Sequence, residues 1–182
     1  MGTVAGLSLF DAIADQASAE SPLWAESLLL RHERLLVPVF SRLVSDPALA
    51  LGVETIYEGY LVHYGRPRLF APADADAALL LGDYLYAHGL VRIAATGNVA
   101  AVHDLAELIS LCAQGQVADR DGDGEAWAAT AALLGKGALD GPRAALRDRG
   151  DTAGLESVAR AAVGDEAFAA ALAAHGGLAS QA

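Results

Sequence analysis

Cysteine, lysine, strand-forming residues and long uncharged apolar runs are all scarce in this chain. Cys112 is its only cysteine, which excludes an internal disulfide. It lies in the apolar stretch LISLCAQG and is expected to be an inert core thiol. Aromatic residues make up 6% of the 182, and Val, Ile and Thr are sparse beside alanine, a bias toward helix over strand. No uncharged apolar run reaches the roughly 18 residues of a spanning helix, so no membrane span is expected. The first twenty residues carry Asp11, Asp15 and Glu20 without a basic start, so no secretory signal is expected and the cytoplasm is the expected address. Positive charge is short as well. Lys136 is the only lysine, and 23 acidic residues face 12 basic ones for a net charge of −11. Such a surface repels phosphate backbones and anionic lipid, so neither is expected as a partner.

What the chain does have is apolar material with helical spacing. Hydrophobic residues form 54% of the sequence, which excludes a disordered chain and suffices for a single all-α domain over 1–182. VAGLSLFDAIADQA (4–17) places Leu7, Phe10, Ile13 and Ala14 on one face. Ser21-Pro22 reads as a cap and first-turn proline opening a helix to about Val44, kinked or broken at Pro38. Ser45-Asp46-Pro47 restarts a helix that ends near Tyr64, and GRPRLFAP (65–72) is a loop. From Ala73 to Thr96 the pattern is helical and nearly all apolar, which places that helix at the centre of a bundle. Gly97 is its expected stop and Asn98 the cap of the next helix, to about Gln114. After the break GQVADRDGDGE, alanine-rich helices are expected near 125–135, 140–148, 152–162 and 165–174.

Few motifs carry chemistry. In DRDGDGEAWAAT (119–130), Asp119, Asp121, Asp123 and Gly124 take the first positions of a calcium loop. The twelfth position, which needs a bidentate glutamate, is Thr130, and a solvated acidic turn over 119–125 is the expectation. The five histidines, His32, His63, His88, His103 and His175, include no pair at the helical spacing of a metal site. No nucleophile elbow, phosphate loop or dinucleotide fingerprint is present. Glu54 and Glu58 share one side of a helix, and spacing alone suggests an exposed acidic face. A metal or a neighbouring arginine would instead make the pair favourable. Gly82 and Gly89 fall on one stripe where another helix can approach closely. Asp83, beside that stripe, is expected to be a buried polar pin.

The stretch VETIYEGYLVHYGRPRLFAPADADAALLLGDYLYAHG resembles the trans-prenyl diphosphate synthases. That family carries a His-Asp-Asp-x-x-Asp helix, an Arg-Arg-Gly-x-Pro-Thr loop and a central Gly-Asp-(Phe/Tyr)-Leu helix. Gly65 and Gly82 stand seventeen residues apart, as the family spacing implies. The alignment puts Val53 at the motif histidine and Glu54, Thr55 and Glu58 at its aspartates. Gln116, after Gly115, stands where the family's Gly-Glu segment is expected.

The resemblance implies a shortened isoprenoid-synthase-like bundle in which Glu54, Glu58, Arg66, Gln116 and Asp119 occupy degenerate substrate- or metal-binding positions. Departures weigh against catalysis. His63 and Tyr64 replace the paired arginines, Arg68 replaces the loop threonine, and no second aspartate-rich motif occurs, although HGGLASQA resembles the stretch just before one. Small degenerate subunits of heterodimeric polyprenyl (heptaprenyl) synthases depart similarly, and one has an AGDYY helix similar to LGDYLY here.

The function implied is a non-catalytic partner subunit without a required cofactor, acting as a heterodimer with a full-length synthase or as a homodimer. The apolar segments 73–96 and 98–114 are the expected association surface, with Gly82, Ala87 and Gly89 near close helix contacts. The alternatives are a minimal magnesium-dependent prenyl synthase or hydrolase using Glu54 and Glu58, and a helical module that holds an isoprenoid or other lipid ligand.

Overall fold

The computed structural model describes residues 2–179, with side chains from Leu9 onward. The last residues of HGGLASQA and the side chain of Leu7 therefore lie outside the described residues. Nine α-helices and no strand occur within the described residues: α1 (Gly2–Glu20), α2 (Pro22–Glu26), α3 (Pro47–Tyr64), α4 (Ala75–Ala95), α5 (Val99–Val117), α6 (Asp123–Ala132), α7 (Asp140–Arg149), α8 (Ala153–Val163) and α9 (Asp165–Ala179). The fold is all-α.

Ser21 and Asn98 cap as expected, and Asp46 and Asp74 cap α3 and α4 as well. Ser21, Asp46, Asp74 and Asn98 each accept a backbone N–H in the first turn of α2, α3, α4 and α5. Each satisfies a donor that a helix start leaves without a partner. Gly97 takes φ +78 after α4, a conformation that costs glycine nothing.

One expected helix is mostly absent. Of 22–44, only Pro22–Glu26 is α-helical, and Phe40–Leu43 form one 3-10 turn. Between them the chain is a strap whose backbone groups pair with the loop after α3. Leu29 N donates to Leu69 O (2.9 Å), Leu35 N to Arg68 O (3.0 Å) and Ala71 N to Ser27 O (2.7 Å). Pro38 lacks a donor and obstructs a helix through its preceding turn. The loop offers the strap other partners, so its backbone is satisfied without helix.

The centre also differs from the expected one. α3, not the 73–96 segment, is the most enclosed helix, buried from Gly52 to Val62. It lies between one apolar cluster built mainly with α5, α6, α8 and α9 and another built with α1, α2 and α4. α4 turns one face to α3 and leaves Leu79, Leu80 and Val91 exposed. Hydrophobicity alone could not assign the centre, because α3 carries two glutamates and α4 carries mostly leucine and alanine.

The glycine stripe explains how closely the two helices approach. Gly52 faces Gly89 and Gly59 faces Gly82 in an antiparallel register. A Cβ on Gly59 would stand 3.0 Å from the Gly82 oxygen, and one on Gly89 3.0 Å from the Gly52 oxygen. Backbone meets backbone, which only glycine allows. Gly82 and Gly89 are thus used inside the chain, while Ala87 is exposed. Asp83 is exposed too, at 66% for its side chain, and is not a buried pin. It stands one residue past the buried Gly82, so the helix turns it outward, toward His63 Nε2 at 3.3 Å.

Candidate functional site

Glu54 and Glu58 lie one turn apart on α3, and both are wholly buried, as is Arg68 from the following loop. The exposed acidic face is therefore not what forms. Arg68 Nη1 makes an ion contact of 2.7 Å with Glu54 Oε2, and its Nε donates to Glu58 Oε2 at 2.9 Å. The strap and loop bond the two Oε1 atoms. Glu54 Oε1 accepts from Val39 N (3.0 Å), Ser41 N (3.3 Å) and the Ser41 hydroxyl (2.7 Å). Glu58 Oε1 accepts from Arg68 N and Leu69 N, both at 2.8 Å. Arg68 Nη1 also donates to Val37 O at 2.8 Å. The guanidinium carbon sits 4.9 Å from the Phe10 ring centre and 5.0 Å from that of Tyr57. Burial opposes its charge, but Glu54 and Glu58 outweigh burial and hold its pKa above the ordinary value.

This clasp pins the strap and the loop to the central helix. It also decides whether magnesium fits. Hard cations need several accessible oxygen ligands, and magnesium keeps most of its waters. Both glutamates are instead wholly buried and held by backbone amides with Arg68 beside them, and the Thr55 hydroxyl donates to Leu51 O at 2.7 Å. The residues at the motif positions do not fit a metal cluster. Within the described residues no group of three His, Cys, Asp or Glu side chains could hold one.

The remaining motif residues lie elsewhere. Arg66 is exposed and lines a shallow groove with Glu33, Val62 and Phe70. Gln116 and Asp119 are exposed at the end of α5, where Asp119 takes φ +51. Gln116 does reach a second polar centre. Its Nε2 donates to Asp123 Oδ2 (2.9 Å), which also accepts from the Tyr60 hydroxyl (2.8 Å). Asp123 thus turns inward from the acidic turn, while Asp119 and Asp121 stay exposed. Nearby, Tyr57 Oη shares a 2.9 Å hydrogen bond with His175 Nδ1.

Tyr57, Tyr60, Trp127 and His175 pack with ring centres 5.0–5.9 Å apart. Of these, Tyr60 and His175 border an open cleft of about 660 Å³ between α3, the 120–125 turn and α9. Burial pushes the Asp123 carboxyl up, against the pull of the Gln116 and Tyr60 hydrogen bonds. Burial also lowers His175 to about 4, so its ring is neutral near pH 7. Cys112, buried beneath, is raised well above the ordinary thiol value by burial and by Asp123, which fits an inert thiol.

Sequence reading did not find this second centre. His175 lies 118 residues from Tyr57, and no spacing rule links them. One signal was available: Tyr57, Tyr60 and Tyr64 fall on one helical stripe of α3. A second buried ion pair, Asp104–Arg143 at 2.9 Å, ties α5 to α7. No helix of the described residues is long and apolar enough to cross a membrane. Compared with protein-family models, curated proteins and solved structures, the chain matches none.

Proposed function

We propose that this chain is a non-catalytic, isoprenoid-synthase-like subunit that acts by association with a full-length prenyl diphosphate synthase. The observation that carries the reading is the clasp. The two carboxylates at the positions that resemble the first metal motif are inaccessible and share the one guanidinium of Arg68. Ionising an allylic diphosphate needs strong stabilisation of developing negative charge. Glu54 and Glu58 are in no position to recruit it.

The resemblance over the α3–loop–α4 segment supports the subunit role. The exposed leucines and valine of α4 offer apolar surface for association, with the partner synthase or with a second copy of the chain. Such a subunit would work in the cytoplasm, with no required cofactor.

The test is a prenyl-transfer assay with magnesium, an allylic diphosphate and labelled isopentenyl diphosphate. The chain alone should give blank levels of product. Added to a full-length synthase from the same genome, it should co-sediment and change that enzyme's rate or product length. Product from the chain alone, lost in a Glu54→Gln/Glu58→Gln double variant, would establish the enzyme alternative instead.

A further inference from the structure

α1 gives Phe10, Ile13 and Ala17 to the smaller apolar cluster, against Leu69, Leu81 and Leu85 of the loop and α4. Beside this contact runs a polar stripe of α4. Tyr84, His88 and Arg92 follow one another at intervals of one turn. Tyr84 Oη, His88 Nε2 and Arg92 Nε are buried and have no hydrogen-bond partner among the described residues. Tyr84 stacks on His88 with ring centres 5.3 Å apart, and the Trp24 ring of α2 lies 5.6 Å from Tyr84. From α1, Gln16 Oε1 accepts from Arg92 Nη2, and the Glu20 carboxylate acts on the charge of Tyr84 and His88.

A buried donor or acceptor without a partner costs its full desolvation, and returning these three groups to water removes that cost. Little polar chemistry holds α1 in return. Its Asp11 contact with Arg31 spans 3.7 Å between side chains 46% and 79% exposed, a pair of small value. Glu20 stands in the last turn, at the negative end of the helix dipole, with no basic residue there to offset it. Ser21 is extended and Pro22 opens a new helix, so α1 joins the body through a one-residue hinge. The larger apolar cluster contains no described residue of α1 and stays closed without it.

We propose that α1 is a detachable cover, which swings away at Ser21 as a unit and uncovers Leu69, Phe70, Leu81, Leu85 and the stripe beside them. Leu81 and Leu85 then join the exposed Leu79 and Leu80 as apolar surface on α4. Use of that surface for association rests on the partner role. The opening itself does not, and its test involves no synthase. The cover also responds to pH. The charged groups at His88 are Arg92 on its own helix and Glu20 on α1. Burial and Arg92 hold its pKa below the ordinary value, against Glu20. The closed state therefore binds fewer protons than the open one, and the cover loosens as pH falls through the ordinary histidine range.

Native-state hydrogen exchange of the full chain, read by NMR as protection factors at pH 7.5, is the test. The amides of Ile13, Ala14 and Ala17 should be about a hundredfold less protected than those of Ile56 and Tyr57 in α3. Tyr84→Phe and His88→Leu should each raise α1 protection about tenfold, the scale of one buried unpaired polar group. Leu155→Ala, in the larger cluster, should lower α3 protection and leave that of α1 unchanged. From pH 7.5 to 5.5, α1 protection should fall in the parent and hold in His88→Leu. Amides of α1 as protected as those of α3, or equal losses at both in Leu155→Ala, would show one cooperative unit and overturn the proposal. So would α1 protection unmoved or lowered in both stripe variants, since opening would then not release the stripe.

Discussion

Replacing Arg68 with methionine removes the one cation that two buried carboxylates share. Glu54 and Glu58 are both 0% exposed, and Arg68 makes a 2.7 Å contact with one and a 2.9 Å contact with the other. Breaking a buried ion pair from one side costs about 3–5 kcal/mol, because the charge left behind has no compensation. The amide donors on each glutamate survive the change and keep the cost within that range.

For a chain of this size each kcal/mol moves the melting temperature by roughly 2–4 °C, so Arg68→Met should melt roughly 6–20 °C lower at pH 8. The penalty has a pH signature. A buried carboxylate without a partner has a raised pKa, so it becomes neutral as pH falls through that value. The destabilisation is complete above the raised pKa and is relieved below it. The gap between variant and parent should therefore narrow from pH 8 to pH 5. Adding Glu58→Gln to Arg68→Met should recover part of the loss at pH 8, since one stranded charge disappears. Calorimetric scans at the two pH values decide the matter. A single variant melting within a degree or two of the parent at pH 8 would refute the clasp.

Three further outcomes are expected. Gly89→Ala would place a Cβ 2.3 Å from Ile56 Cγ1 and 3.0 Å from a backbone oxygen, so urea midpoints should show a loss of about 1–3 kcal/mol where an open helix site would gain about 1. Asp83→Ala should change stability by no more than about 0.5 kcal/mol, and a larger loss would mean that Asp83 is not exposed as described. Burial lowers His175 from 6.5 to about 4, so the unfolded chain binds more protons between those values. Stability should thus fall by up to about 3 kcal/mol as pH drops from 6.5 toward 4, a slope that His175→Gln should remove in pH-dependent urea melts.

Much of this fold is legible from local rules, because local chemistry governs those parts. Ser21 and Asn98 cap where expected, and α3 starts at the expected Ser45-Asp46-Pro47. The four C-terminal helices form close to their expected bounds, and the Gly82–Gly89 stripe marks a close helix contact. The failures share another cause, since each depends on a partner distant in sequence. The 27–39 strap loses its helix to hydrogen bonds with the loop at 66–71. Glu54 and Glu58 look like surface residues until Arg68, ten residues beyond Glu58, arrives beside them. Asp83 looks buried because its neighbours are apolar, yet several of them, Leu79 and Leu80 included, also face outward. The Tyr57–His175 bond joins the middle of the chain to its last helix, which periodicity does not reveal.

The central claim is that Glu54 and Glu58 are locked into the fold and closed to metal. Manganese(II), as a paramagnetic stand-in for magnesium, tests it most directly. The amides of Val39 and Ser41 bond Glu54, and that of Leu69 bonds Glu58, so their NMR signals report on any ion that reaches either carboxylate. Titration to millimolar manganese should leave those three signals as sharp as the rest of the core, with broadening confined to exposed acidic residues. Selective loss of the Val39, Ser41 and Leu69 signals at lower concentrations would show that metal enters the clasp, and would contradict the account.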